Sequence, residues 1–187
     1  GCDTSLPGML MAAARLDVPA VFVHSGTSLA GRWRGEPVTI QDVFEAVGQH
    51  AAGSMSNEDL HDLEGRACPG AGACGGQFTA NTMATALDFL GISPSGLSGI
   101  PATDPAKKDA AERSGELVMK LVKENLTPSK IITRDAIENA IACVAATGGS
   151  TNAVMHLIAI AREAGIDLSI DQFHDISERT PIVASLK

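Results

Sequence analysis

Nine consecutive residues, Cys68-Pro69-Gly70-Ala71-Gly72-Ala73-Cys74-Gly75-Gly76, hold five glycines or prolines and two cysteines. Such a run has almost no side-chain volume to give to a core, so its backbone must approach another part of the chain closely. A helical apolar pattern over residues 77–90 follows at once and stops at Gly91. Any fold for this chain therefore launches a helix from a bare loop carrying two thiols. A thiol just ahead of a helix N-terminus sits in positive potential, which favours the metal-binding thiolate, and Cys74 meets that condition better than Cys68. A glycine-rich turn with two unreactive thiols explains the same residues equally well. The spacing, with no histidine nearby, is not that of a zinc ribbon.

Most of the remaining chain reads as helix. Residues 6–16 are small and apolar with Pro7 near the start, as in a buried helix entered through a proline. Residues 19–24 form a continuous apolar run ending at Ser25-Gly26, the pattern of a strand buried on both faces. Residues 26–37 read as a surface loop containing the one tryptophan, Trp33. Helical spacing resumes over 39–52 through Ile40, Val43, Phe44 and Val47, and a short charged helix over 57–66 has Ser56 as its cap. An amphipathic helix covers 105–125, a turn follows at Thr127-Pro128, helices 135–147 and 151–164 are hinged at Gly148-Gly149, and a short helix spans 171–177. The expected fold class is α/β and helix-rich, with helices packed around a small, mainly parallel sheet in a truncated three-layer α/β/α arrangement. At 187 residues the chain is expected to be a single domain, 1–187.

Composition narrows the function. Tyrosine is absent, aromatics reach 3% and the net charge is −8, so the chain has neither the stacking rings nor the basic stripe of a nucleic-acid binder. No stretch approaches the ~20 apolar residues that span a bilayer, and no signal-like start is present. The expectation is a cytoplasmic protein with neither nucleic acid nor membrane as partner. Cysteines in such a setting read as reduced thiols or metal ligands. Cys143, among Ile141, Ala142 and Val144, is expected to be buried and inert, and His156 to be packed and hydrogen-bonded. His24 ends the expected strand and could approach a site. His50, His61 and His174 are expected to be exposed, and Met9 and Met11 to fill core space.

Cys2-Asp3 sets a soft thiolate beside a hard carboxylate just ahead of a helix start, a pair able to serve iron and magnesium side by side. An untethered tail is the plainer alternative. Gly148-Gly149-Ser150-Thr151-Asn152 also opens a helix, whose first amides could receive a carboxylate or phosphate. A tight turn between packed helices is the plainer reading there.

Three blocks in order, CDTSLPGMLMAAARLDVPAVFV, CPGAGACGGQFTANTMA and ENAIACVAATGGSTNAVMHLIAIA, resemble the dihydroxy-acid dehydratase branch of the dihydroxy-acid and phosphogluconate dehydratase family over essentially the whole chain. The resemblance implies an iron–sulfur cluster (2Fe-2S or 4Fe-4S) held by Cys2 and Cys74 but not by Cys68, and Mg2+ on Asp3. Thr4 stands where the family has a lysine whose carbamate also reaches the magnesium, and a threonine can form none. The resemblance further implies a small-molecule 2,3-dihydroxy acid as substrate, a hydro-lyase reaction yielding a 2-oxo acid in branched-chain amino-acid biosynthesis, and a homodimer or higher homo-oligomer. A sugar-acid dehydratase is the neighbouring alternative. A non-catalytic cluster-binding or assembly homologue is the alternative of another class. The family's remaining ligands and its serine base fall outside this chain, so no catalytic residue is expected within it. The isolated chain is expected to be an inactive internal piece from which cluster and magnesium can both be missing.

Overall fold

A computed structural model of the chain describes residues 5–184. Nine helices and one hairpin are present among them, in the order α1 (Ser5–Leu16), β1 (Gly31–Trp33), β2 (Glu36–Val38), α2 (Ile40–Ala51), α3 (Asn57–Ala67), α4 (Thr79–Leu90), α5 (Ala106–Glu124), α6 (Pro128–Ile131), α7 (Arg134–Ala146), α8 (Asn152–Glu163) and α9 (Ile170–Arg179). Local chemistry fixes most of the ends. Thr39 and Asp42 close a capping box on α2, with the Asp42 carboxylate accepting the Thr39 N–H at 2.6 Å. Ser56 accepts the Asp59 N–H at 3.0 Å at the start of α3, and Gly91 and Asn125 terminate α4 and α5 in the left-handed conformation.

The main core lies between α1, α4, α7, α8 and α9, around Leu10, Met83, Leu87, Ile137, Leu157 and Ile160, all fully buried. α4 is its central element. Ala80, Thr82, Met83, Ala84, Ala86, Leu87 and Leu90 are buried around most of its circumference, and three alanines there let neighbouring helices approach closely. A smaller cluster joins the hairpin to α2 and α3 through Val38, Val43, Ala46, Leu63 and Ala67. The two clusters are linked by two connections, residues 17–30 and 68–78, which meet at a parallel bridge between Thr27 and Ala73.

The helices correspond to the expected ones, but the sheet does not. Among the described residues the only sheet is a two-stranded antiparallel hairpin, pairing Gly31 with Val38 and Trp33 with Glu36, inside the stretch read as a loop. The helix-rich α/β class holds, but among the described residues the small sheet is antiparallel instead of mainly parallel and no three-layer arrangement is formed. Arg34 (φ 52°) and Gly35 (φ 91°) give the hairpin a two-residue turn with both central residues left-handed. Only Gly35 announced that turn, because arginine is not the usual residue for such a position. Arg34 is held there by stacking on Trp33, 4.2 Å from the ring centre, and by an ion pair with Asp59, while the Trp33 Nε1 donates to Asp62 at 3.0 Å.

Residues 19–24 join no ladder, and among the described residues their one backbone–backbone bond to a distant segment runs from Phe22 N–H to the Ile92 carbonyl at 3.0 Å. Phe22, His24, Gly26 and Ser28 are buried in alternation with exposed Val23 and Ser25, so one face is covered, not both. Other side chains also depart from their apolar pattern. Phe44 and Val47 on α2 are exposed, and so is Met9, while Met11 packs on the core as expected.

Because Leu157 is fully buried at the centre of the larger core, Leu157→Ala should lower the free energy of unfolding by about 2–5 kcal/mol. Urea denaturation followed by circular dichroism measures this. A loss under ~1 kcal/mol would mean that the α8 side of the core is not packed as described.

Candidate functional site

Cys74 sits where the two connections cross. The Ala73 N–H donates to the Gly26 carbonyl at 2.9 Å and the Ser28 N–H to the Ala73 carbonyl at 2.8 Å, so Ala73 is stitched along residues 26–28. Gly72 makes this approach possible. Its φ is +138°, and a Cβ added there would lie 2.3 Å from the Ser28 nitrogen. Gly26 serves the opposite edge, where the Ala102 N–H donates to Thr27 O at 2.9 Å and an added Cβ would meet the Ala102 nitrogen at 2.5 Å. The demand for close backbone approach that the glycine-rich run implied is thus met by segment 26–28.

Two side chains then fix the Cys74 backbone. Asn81, in the first turn of α4, donates through Nδ2 to the carbonyls of Cys74 (2.7 Å) and Gly76 (2.6 Å), and Thr27 Oγ1 lies 3.2 Å from the Cys74 carbonyl as a donor. The Cys74 thiol is free and exposed, as is that of Cys68, which caps the C-terminus of α3. A cavity of about 310 Å3 opens beside the loop, lined by Thr27, Ser28, Thr39, Gly75, Gln77 and Asn81. The sequence reading missed Asn81 and Thr27. An asparagine in a helical first turn, where it can fold back on the preceding loop, was the available signal.

The turn at residues 148–151 meets this region at the start of α4. Asn152 Nδ2 donates to Thr79 Oγ1 at 2.9 Å, the Thr79 and Ser150 hydroxyls are 3.3 Å apart, and the Ser150 N–H donates to buried Thr82 Oγ1 at 2.9 Å. α4 and α8 therefore begin side by side. α1 runs along α8 in the same direction, since Arg15 and Glu163, both in last turns, form a bidentate ion pair. Three helix N-termini thus open toward one end of the main core, adding their partial positive charges there.

The amides of the turn are largely consumed. Gly148 and Gly149 donate to the carbonyls of Ala145 and Val144, Asn152 to Ser150 Oγ, and Ala153 and Val154 to the carbonyls of Ser150 and Thr151. This is the tight-turn reading, not an anion cradle. An apolar cavity of about 400 Å3 flanks the turn, walled by Ile141, Val144, Val154 and Phe173.

Cys2, Asp3 and Thr4, which precede Ser5, lie outside the described residues. Among those described, no three His, Cys, Asp or Glu side chains gather as a metal site, so Cys74 stands alone as a candidate ligand. Cys143 is buried, and burial pushes its thiol up to about 11, which keeps it protonated as expected. His156 is buried but its Nε2 has no hydrogen-bond partner, a departure from the expected satisfied histidine. His50, His61 and His174 are exposed.

His24 is 2% exposed and does reach the site's framework. Its Nδ1 accepts the Gly26 N–H at 3.2 Å, and its Nε2 is unpartnered. Burial pushes its pKa below the usual 6.5, the Lys107 charge acts in the same direction, and Asp88 opposes them. The unfolded chain therefore binds the His24 proton more readily than the fold does. Stability from this group is complete above pH 6.5 and is lost as the pH falls through the lowered folded value. Urea midpoints measured across this range should decline toward acid, and His24→Asn should flatten the decline. An equal slope in both proteins would dismiss His24 as its source.

Gly72→Ala should cost roughly 1–3 kcal/mol of stability from backbone strain alone, with the collision at Ser28 adding to it. Gly70→Ala, where an added Cβ finds nothing nearer than 4.0 Å, serves as the control. Chemical denaturation compares the two, and equal losses would refute the seating of Ala73 on residues 26–28.

The family described as Dihydroxy-acid/6-phosphogluconate dehydratase N-terminal matches residues 1–187. The chain is 57% identical to a dihydroxy-acid dehydratase of Koribacter versatilis over 100% of its own length and 33% of that relative. It is 52% identical to one from Roseiflexus castenholzii over 99% of the chain and 33% of the relative, and 50% identical to one from Thermus thermophilus over 100% and 34%. The chain spans about a third of the length of these relatives. With the match covering every residue from Gly1 to Lys187, the chain belongs to the Dihydroxy-acid/6-phosphogluconate dehydratase N-terminal family.

Proposed function

We propose that this chain is the N-terminal-domain part of a hydro-lyase that dehydrates 2,3-dihydroxy carboxylic acids to 2-oxo acids in branched-chain amino-acid biosynthesis. One observation carries the reading. The Cys74 loop and the 148–152 turn, which belong to two of the blocks resembling the family, adjoin at the paired starts of α4 and α8. Relatives named dihydroxy-acid dehydratase are 50% or more identical over 99–100% of the chain.

The donor set fits part of an iron–sulfur site. Cys74 is an exposed, free thiol on a backbone already fixed by Asn81 and Thr27, which is what a soft thiolate ligand requires. Cys2 would supply a second thiolate, and Asp3 a hard oxygen for Mg2+. When bound, the cluster iron would act as Lewis acid on the leaving hydroxyl, with magnesium stabilising the charge that develops as the α-proton is lost. The chain's own residues contribute holding and shaping. Thr27 and Asn81 keep the ligand loop in place, and the polar wall of Ser28, Thr39 and Gln77 faces the cavity beside it, where hydroxyls of a small polyol acid would find partners.

We take the enzyme to be cytoplasmic, and among the described residues no helix is long and apolar enough to cross a membrane. We take the enzyme to be a homo-oligomer. Activity would need the rest of the protein, because the base and further ligands implied by the resemblance lie outside this chain. Thr4 favours a second reading, a non-catalytic homologue that keeps a cluster. A carbamate requires an amine, and threonine has none.

Anaerobic reconstitution with ferrous iron and sulfide tests the ligand assignment. Wild type and Cys68→Ser should take up iron and gain visible absorption, whereas Cys74→Ser should lose at least half of both. Equal iron in Cys74→Ser and wild type would remove Cys74 from the ligand set.

A further inference from the structure

Lys107 occupies a position that nothing local favours. It is the second residue of α5, where a cation meets the positive end of the helix dipole. It is half-buried, burial lowers its pKa, and it forms no ion pair among the described residues. Its ammonium instead donates to two backbone carbonyls, those of His24 at 3.2 Å and Leu97 at 3.3 Å. These belong to two different segments. We propose that Lys107 is a positioning residue for the Cys74 loop, clamping His24 and Leu97 together so that residues 26–28 keep the register in which they back Ala73 and Cys74.

The path from ammonium to thiol is short and consists almost wholly of main chain. Leu97 leads into residues 100–102, which pair with Thr27 through the Ala102 N–H. His24 leads into Gly26, whose carbonyl takes the Ala73 N–H. Three backbone layers, 100–102, 26–28 and 72–74, are therefore stacked edge to edge. Gly26 and Gly72 leave no slack between them, since a single methyl group would collide at either interface. In such a stack a shift of the outer layer passes to the inner one instead of being absorbed by side chains. Asp88, on α4, secures the same outer loop through the Gly96 N–H (3.2 Å) and the Ser98 hydroxyl (2.7 Å). Among the described residues, Lys107 alone ties that loop to the His24 carbonyl. Its separation from Cys74 in sequence, and its lack of contact with the thiol, conceal the connection.

The consequence for metal binding rests on Cys74 being a cluster ligand, but the clamp itself does not. Amide hydrogen exchange separates the two. Lys107→Met keeps most of the apolar stem and removes the donors, so exchange at Ala73, Ser28 and Ala102 should quicken on the order of tenfold. Core amides such as those of Leu87, Ile141 and Leu157 should keep wild-type rates. Lys107→Arg, whose guanidinium can also donate to two carbonyls, should restore slow exchange at the three seam amides. Unchanged exchange at Ala73 and Ser28 in Lys107→Met, or acceleration shared equally by the core, overturns the proposal. The reconstituted proteins supply the second readout, in which Lys107→Met should release iron to a chelator several-fold faster than wild type. If Cys74→Ser takes up as much iron as wild type, the ligand reading of Cys74 fails, and the exchange rates still decide the clamp.

Discussion

Where residues 26–28 lie between 72–74 and 100–102, main chain meets main chain with no side chain between, and much of the molecule is arranged around that contact. Among the described residues the larger hydrophobic cluster and the smaller one share no extensive side-chain interface. They are joined by the two connections that cross at Thr27 and Ala73. Backbone hydrogen bonds have strict spacing, so this seam fixes the relation of the two clusters more narrowly than apolar contact could. The glycines at 26 and 72 permit it sterically. Cys74 inherits its place from the seam and from the helix that starts just after it.

Helix-scale features were legible in the sequence because they depend on neighbours three or four residues apart. Ser56 as a cap, Gly91 as a stop and the hinge at Gly148-Gly149 each announce a local hydrogen-bonding need. The sheet was not legible in this way. Residues 19–24 have the composition of an interior strand, but among the described residues they find one backbone bond to a distant segment, at Ile92. Pairing depends on what lies alongside, and composition does not carry that information. The hairpin escaped for the opposite reason. Its turn holds Arg34 in a left-handed conformation that Trp33 and Asp59 support from outside the turn.

The surroundings of the candidate site were readable in type more than in detail. The bare loop with its thiols stood out, and Cys143 was set apart correctly by its apolar neighbours. Asn81, Thr27 and Lys107 did not stand out, since each acts on carbonyls contributed by other segments. The 148–152 turn shows the converse. Its glycines and hydroxyls suggest an anion site, yet five of its neighbouring donors are spent on carbonyls and on Ser150 itself, and one more on Thr82. Its part is to lock the start of α8 to the start of α4.

Asn81 gives the Cys74 loop an entropic character of its own. With the carbonyls of residues 74 and 76 already held by one side-chain amide, the chain has paid for ordering this loop during folding, before any ion arrives. A small zinc-dependent module behaves in the opposite way, its metal supplying the order and its removal unfolding the chain. Here side-chain and main-chain hydrogen bonds hold the loop's geometry. Under the ligand role proposed for Cys74, loss of metal would leave an intact, exposed thiol in place, ready either to be reloaded or to be oxidised.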